Sequence, residues 1–353
     1  MAASSEVGVG SPAVKGDTRV DDMSAEVPDV PVAVLTYVNR SGSTFLASRL
    51  AASDGVIVTL ESEAVGRTLL GDAPIPNVAA LGRVFDELYS ELKFRQWGIP
   101  RDTLAAALAD RAFPLERPTL FYTILRSLPG GTDAKAFVYK FPSWEHGLPN
   151  LVRGHDFLRV IHVVRDPRAV YASQRKSISS RSGRPMVQDP ITLAHRWKRA
   201  LAVIDKMPAA RTLNLRYEDL LVREHETVAH ALAFLGIDSR PAGVATTGVC
   251  VDYAHRIPET QKHLHRKVGA AADASRIDSW RQELPSGEVQ LLQFFGRKTM
   301  RRHGYDVDRT SGFGALLASV PAVCVALVRD IAIRTWRRIG PVAQQRKEYD
   351  SAG

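Results

Sequence analysis

A β-branched, apolar run over residues 31–38 stops at a short polar turn, Asn39-Arg40-Ser41-Gly42-Ser43-Thr44, and a helical pattern resumes at Phe45. Strand, tight turn and helix in that order aim backbone N–H groups and a helix N-terminus at one point, a geometry suited to an anion. The nucleotide-hydrolysing form of such a loop reads G-x-x-x-x-G-K-[ST]. Here Arg40 precedes the glycine and Ser43 follows it, so the lysine is missing.

The alternation continues downstream. The first helix is expected over 43–53 and a second apolar strand over 56–60. A proline-broken helical stretch then covers 65–128, read as an insertion that would form much of an acceptor pocket. Strands return at 136–139, 158–164 and 212–216, with helices over 167–176 and 191–206. Strands alternating with helices predict a three-layer, P-loop-like α/β fold around a mostly parallel sheet. In such sheets ligands sit at the carboxyl ends of the strands. The residues to watch are therefore Arg40 to Thr44, Glu61, Lys140, Arg165 and Tyr217.

The chain has 353 residues and a formal net charge of +9, which favours an anionic partner. Its two cysteines, Cys250 and Cys324, are too few for a disulfide framework or a metal cage, which points to a reducing compartment. Residues 1–28 read as a disordered leader without signal-peptide character, residues 29–308 as the folded domain, and 309–353 as a tail. In that tail an apolar run, 313–328, is followed by a segment mixing Ile and Trp336 with arginines. The tail is expected either to dock on the domain as a helix or to lie in an anionic membrane face. No nucleic-acid partner is indicated. His263 and His265, in "QKHLHRK", suit an anion or solvent better than a metal.

Three segments carry a resemblance: "NRSGSTFL", "VVRDPRAVYASQ" and "LRYEDLL", supported by "SRIDSWRQEL". In this order and spacing the chain, over about residues 32–305, resembles sulfotransferases that use 3′-phosphoadenosine 5′-phosphosulfate (PAPS). Its R-S-G-S-T loop is most similar to the Golgi carbohydrate and tyrosylprotein branches. The resemblance implies a metal-free enzyme with PAPS as co-substrate and a hydroxyl-bearing acceptor: a carbohydrate, glycolipid or other small molecule. Arg40, Ser41, Gly42, Ser43, Thr44 and Phe45 would form the 5′-phosphosulfate loop, and Arg165 with Ser173 the 3′-phosphate site. Ser275 and Arg276 resemble a late loop that closes over the cofactor, and Tyr217 a tyrosine that contacts the nucleotide or simply packs in the core. The expected location is cytoplasmic, with the tail as a candidate peripheral membrane contact.

The missing lysine then has a physical reason. A triphosphatase neutralises a multiply charged γ-phosphate with lysine and Mg²⁺. A terminal sulfuryl group carries one negative charge, which an arginine fork, backbone N–H groups and the Ser43 and Thr44 hydroxyls can hold. Transfer to a hydroxyl also needs a base and a cation at the leaving oxygen. By resemblance these are Glu61, 21 residues past Arg40 (61 − 40 = 21), and Lys140. Glu63 competes for the role of base. Two rivals remain open at this level, a Mg²⁺-dependent phosphotransferase and a non-catalytic nucleotide-binding protein.

Overall fold

The computed structural model describes residues 29–71, 73–141, 148–179, 183–187, 189–238 and 272–307. The leader, both cysteines, His263, His265 and the tail lie outside these residues. Five strands, β1 Val32–Tyr37, β2 Val56–Val58, β3 Ala136–Lys140, β4 Leu158–Val164 and β5 Thr212–Arg216, form one sheet in the order β2-β3-β1-β4-β5. Every pairing is parallel. This is the α/β sheet that the alternation predicts. β1 lies at its centre and is buried along its whole length, which is why it reads as an unbroken apolar run.

The register brings distant residues to one level. Tyr37 pairs with Val163, and Val164 with Arg216. The next residues, Arg165 and Tyr217, therefore leave adjacent strands side by side. Leu35 pairs with Lys140, so the lysine is the last residue of β3 and sits just below the β1 loop. Tyr217 is the first residue of a helix, Tyr217–Val222, rather than the end of the strand.

Helix boundaries follow local chemistry. Asp166 caps the helix Pro167–Lys176 and Asp189 caps Pro190–Ile204, each with proline in the first turn, where a missing N–H costs nothing. The first helix, α1 (Ser43–Ala51), starts from Gly42, whose φ of 89° suits glycine. The predicted second strand is shorter than expected. It stops at Val58, because Ser62 caps a helix, α2 (Glu63–Leu69), by accepting from the Val65 N–H. A short helix, Leu148–Gly154, was not foreseen.

The insertion is helical: α2, α3 (Val78–Ser90), α4 (Leu92–Arg95), α5 (Arg101–Ala107) and α6 (Arg117–Arg126). Its core is aromatic and reaches the sheet. Phe94 meets Trp97 at 5.4 Å between ring centroids, Trp97 meets Tyr139 of β3 at 6.0 Å, and Tyr139 meets Phe121 at 5.4 Å. Such pairs contribute about 0.5–1.5 kcal/mol each beyond area burial. They fix the insertion beside the carboxyl end of β3. The last described helix, Ser286–Arg302, packs on the helix Pro190–Ile204. Among the described residues no helix is long and apolar enough to cross a membrane.

Candidate active site

Two polar clusters meet at the loop that follows β1. The first is built from guanidinium groups. Arg40, held at a φ of 73°, donates from Nε to Ser173 Oγ at 3.1 Å, while its carbonyl accepts from Arg165 Nη1 at 3.1 Å. Arg165 Nη2 also reaches the Arg276 carbonyl at 3.4 Å, and its guanidinium lies 4.4 Å from the centre of the Tyr217 ring. Burial, then repulsion from Arg165 and Arg276, lowers the Arg40 pKa from its ordinary value. Three cations gathered in a buried place cost energy unless an anion joins them.

The loop is pinned from several sides. Gln174 Nε2 donates to the Asn39 carbonyl at 2.7 Å, and Trp197 Nε1 to the Arg165 carbonyl at 3.0 Å. Asp166, next to Arg165, donates its N–H to Glu218 Oε1 at 2.9 Å and ion-pairs with Arg168 at 2.6 Å. Two buried polar atoms in the cluster, Ser41 Oγ and Arg165 Nε, find no hydrogen-bond partner among the described residues. Unpaired donors around a concentration of positive charge fit a phosphate or sulfate oxygen.

The second cluster centres on Glu61. Lys140 Nζ lies 3.1 Å from Glu61 Oε1 and donates to Thr44 Oγ1 at 3.0 Å. Tyr37 donates its hydroxyl to the same carboxylate oxygen, and Lys93 Nζ reaches Oε2 at 3.3 Å. Burial works to raise the Glu61 pKa, but Lys140, Lys93 and the Tyr37 hydrogen bond outweigh it and hold the carboxyl well below the usual range. Lys140 is thus the link between the loop and the carboxylate.

The sequence-predicted residues divide accordingly. Arg40, Arg165, Ser173, Tyr217 and Arg276 come together in the first cluster, and Thr44, Lys140 and Glu61 in the second. The Arg40 side chain is nearer Ser173 than the reading of a single 5′-side loop implied. Ser43 is buried in the first turn of α1. The Phe45 ring packs under Arg49 at 4.4 Å. Ser275 is exposed and donates its hydroxyl to Asp273. Glu63 does not continue a strand beside Glu61. It opens α2, with its carboxylate 4.0 Å from Arg67. Tyr37, Lys93 and Gln174 were missed. Tyr37 sits in an apolar strand and Lys93 in a helical insertion, where neither spacing nor neighbours mark them as polar partners.

The model of the sulfotransferase family matches residues 31–241, more than half of the chain. The fold is similar to the sulfotransferase domain of the Synechococcus PCC 7002 olefin synthase, with a TM-score of 0.54 and 18% identity over 80% of this chain and 97% of that one. A sulfotransferase domain from the curacin biosynthetic pathway gives a TM-score of 0.51 at 16% identity, over 80% of this chain and 100% of the other. No curated protein matches the chain at a significant level. The loop, the parallel sheet and a match that covers every clustered residue except Arg276 have one conclusion: the chain belongs to the sulfotransferase family.

Proposed function

We propose that the chain transfers the sulfuryl group of PAPS to a hydroxyl of a carbohydrate, glycolipid or other small-molecule acceptor, with Glu61 as base. The observation that carries this reading is Lys140, which joins Thr44 of the anion loop to Glu61 at 3.0 and 3.1 Å. A cation between an anion site and a carboxylate is what a group transfer to a hydroxyl requires. The R-S-G-S-T loop and the glutamate after β2 favour a carbohydrate-type acceptor.

The residues present fit the nucleotide. Arg40, Arg165, Ser173 and Arg276 would hold the 3′-phosphate, using the unpaired Arg165 Nε. Ser41 Oγ, the first turn of α1 and the hydroxyls of Ser43 and Thr44 would hold the 5′ side, where helix geometry leaves N–H groups without carbonyl partners. Tyr217 lies between the two, against Gly42. When bound, PAPS supplies a sulfuryl group attached to a phosphate leaving group. Glu61 takes the acceptor proton at its carboxylate, so the oxygen attacks as it is deprotonated. Lys140 faces the oxygen on which charge develops, and it acts most strongly in the transition state.

Calorimetry with adenosine 3′,5′-bisphosphate and adenosine 5′-phosphate tests the assignment. Losing charge-assisted contacts of about 1.5–3 kcal/mol should weaken the monophosphate roughly tenfold to more than a hundredfold. Arg165→Ala should erase most of that difference. Equal affinity in the wild-type protein would remove the 3′-phosphate site from the reading.

A further inference from the structure

Glu61 belongs to no regular element. β2 ends at Val58 and α2 starts at Glu63, so nothing in the backbone pattern fixes where its carboxylate points. Its two oxygens are nonetheless held from different directions. Oε1 takes Tyr37 and Lys140, both on the sheet, and Oε2 takes Lys93 at 3.3 Å, from α4 of the insertion.

The turn that carries Lys93 grips the same segment a second time. Glu91, two residues earlier, accepts from Ser62 Oγ at 2.5 Å, from the Glu63 N–H at 2.9 Å and from the Ala64 N–H at 3.2 Å. Tyr139 of β3 donates to the Ser62 carbonyl at 2.7 Å. Phe94, the residue after Lys93, is buried against Trp97. One corner of the insertion therefore holds the side chains of residues 61 and 62 and the backbone N–H groups of the two residues that follow them.

We infer that Lys93 is a positioning residue for the base, fixing the carboxylate oxygen that faces the insertion, where the acceptor hydroxyl arrives. The inference rests on the reading of Glu61 as base. A base must lie within hydrogen-bond reach of its proton, and a carboxylate tied at one oxygen alone can swing about its last torsion. The two lysines are not equivalent. The Lys140 side chain is 4% exposed and that of Lys93 25%, so Lys93 stands on the more open side of the carboxylate, the side from which a hydroxyl can approach. Lys140 keeps its place beside Thr44.

The groups that face Glu61 are Tyr37 from β1, Lys140 from β3 and Lys93 from α4, with Glu63, Arg67, Glu91 and Tyr139 in the layer behind. The test reads the carboxyl itself. Protein labelled with ¹³C at glutamate Cδ is titrated by NMR, with Glu61→Gln used to assign the resonance. Lys93→Met keeps the aliphatic stem and removes the charge. Its Glu61 midpoint should rise by about one pH unit or more toward the ordinary range. Lys93→Arg should leave the midpoint low, and both variants should bind adenosine 3′,5′-bisphosphate like the wild type. An unmoved midpoint in Lys93→Met, or an equal rise in Lys93→Arg, overturns the inference. Failure of the base assignment shows separately, as turnover that survives Glu61→Gln.

Discussion

A methyl group placed on Gly42 would fall 2.1 Å from Cδ2 of Tyr217, so the loop backbone and the tyrosine ring lie in direct contact. The contact joins the ends of β1 and β5 across β4, and Arg165, which follows β4, lies over the same ring at 4.4 Å from its centre. Gly42 is therefore doubly constrained, by its φ of 89° and by the ring. The backbone part alone is worth about 1–3 kcal/mol.

We predict that Gly42→Ala lowers thermal stability and weakens adenosine 3′,5′-bisphosphate by at least about tenfold, the equivalent of about 1.4 kcal/mol. Adding Tyr217→Ala should recover part of the lost stability, because the two sites share one contact and their effects do not add. Calorimetry and thermal melts of the two single variants and the double variant measure this. A Gly42→Ala protein that melts and binds like the wild type would show that the loop relaxes away from the ring.

Sheet class and loop position were legible because both are written in short-range patterns. Residues 31–38 carry no charge and only the Thr36 and Tyr37 hydroxyls before Asn39, as suits a central parallel strand buried on both faces. Arg165 and Tyr217 could be picked out because each follows an apolar strand. Their meeting at one level depends on register, which sequence spacing does not state. The side-chain directions were not legible. Arg40 reads as part of the first loop, yet its backbone conformation turns the side chain to Ser173, 133 positions away. The Lys93 contact with Glu61 spans 32 positions and depends on aromatic packing within the insertion. Nothing local in "ELKFRQW" signals it.

His162 gives a stability prediction independent of activity. It is buried in β4, where burial first and repulsion from His303 second lower its pKa to about 3. The folded state keeps this imidazole neutral, while the unfolded chain protonates it near its ordinary pKa of about 6.5. Its contribution is present above that value and is lost as pH falls toward the folded pKa. Stability should drop by up to about 1.4 kcal/mol per pH unit across this window. Urea unfolding of His162→Leu should show a flatter pH dependence between about pH 6 and 4. An identical slope in the variant would assign the acid loss to other groups.

Chelation bears on the choice between sulfuryl and phosphoryl transfer. The donors at the two clusters are guanidinium, ammonium and hydroxyl groups, and among the described residues no three His, Cys, Asp or Glu side chains gather as a ligand set. Turnover is expected to continue in EDTA. Loss of turnover on chelation, with recovery on adding Mg²⁺, would favour a phosphotransferase.

The most demanding prediction separates base from nucleotide site. Glu61→Gln keeps an oxygen near Tyr37 and Lys140 but cannot take the acceptor proton. General-base catalysis is worth about 10²–10⁴-fold, so turnover should fall by that order while affinity for adenosine 3′,5′-bisphosphate stays close to wild type. Arg165→Ala should weaken the nucleotide first. Glu63→Gln is the control, because its side chain belongs to the start of α2 beside Arg67. In the wild-type free protein Glu61 should also stay ionised below the ordinary glutamate range, since Lys140, Lys93 and Tyr37 outweigh the cost of its burial. The acid limb of kcat/KM, if set by Glu61, should therefore lie lower than for an unassisted carboxylate. Turnover lost in Glu63→Gln and kept in Glu61→Gln would move the base two residues along the chain. Turnover kept in both would leave Lys140 and the nucleotide site in place and require another proton acceptor from the insertion.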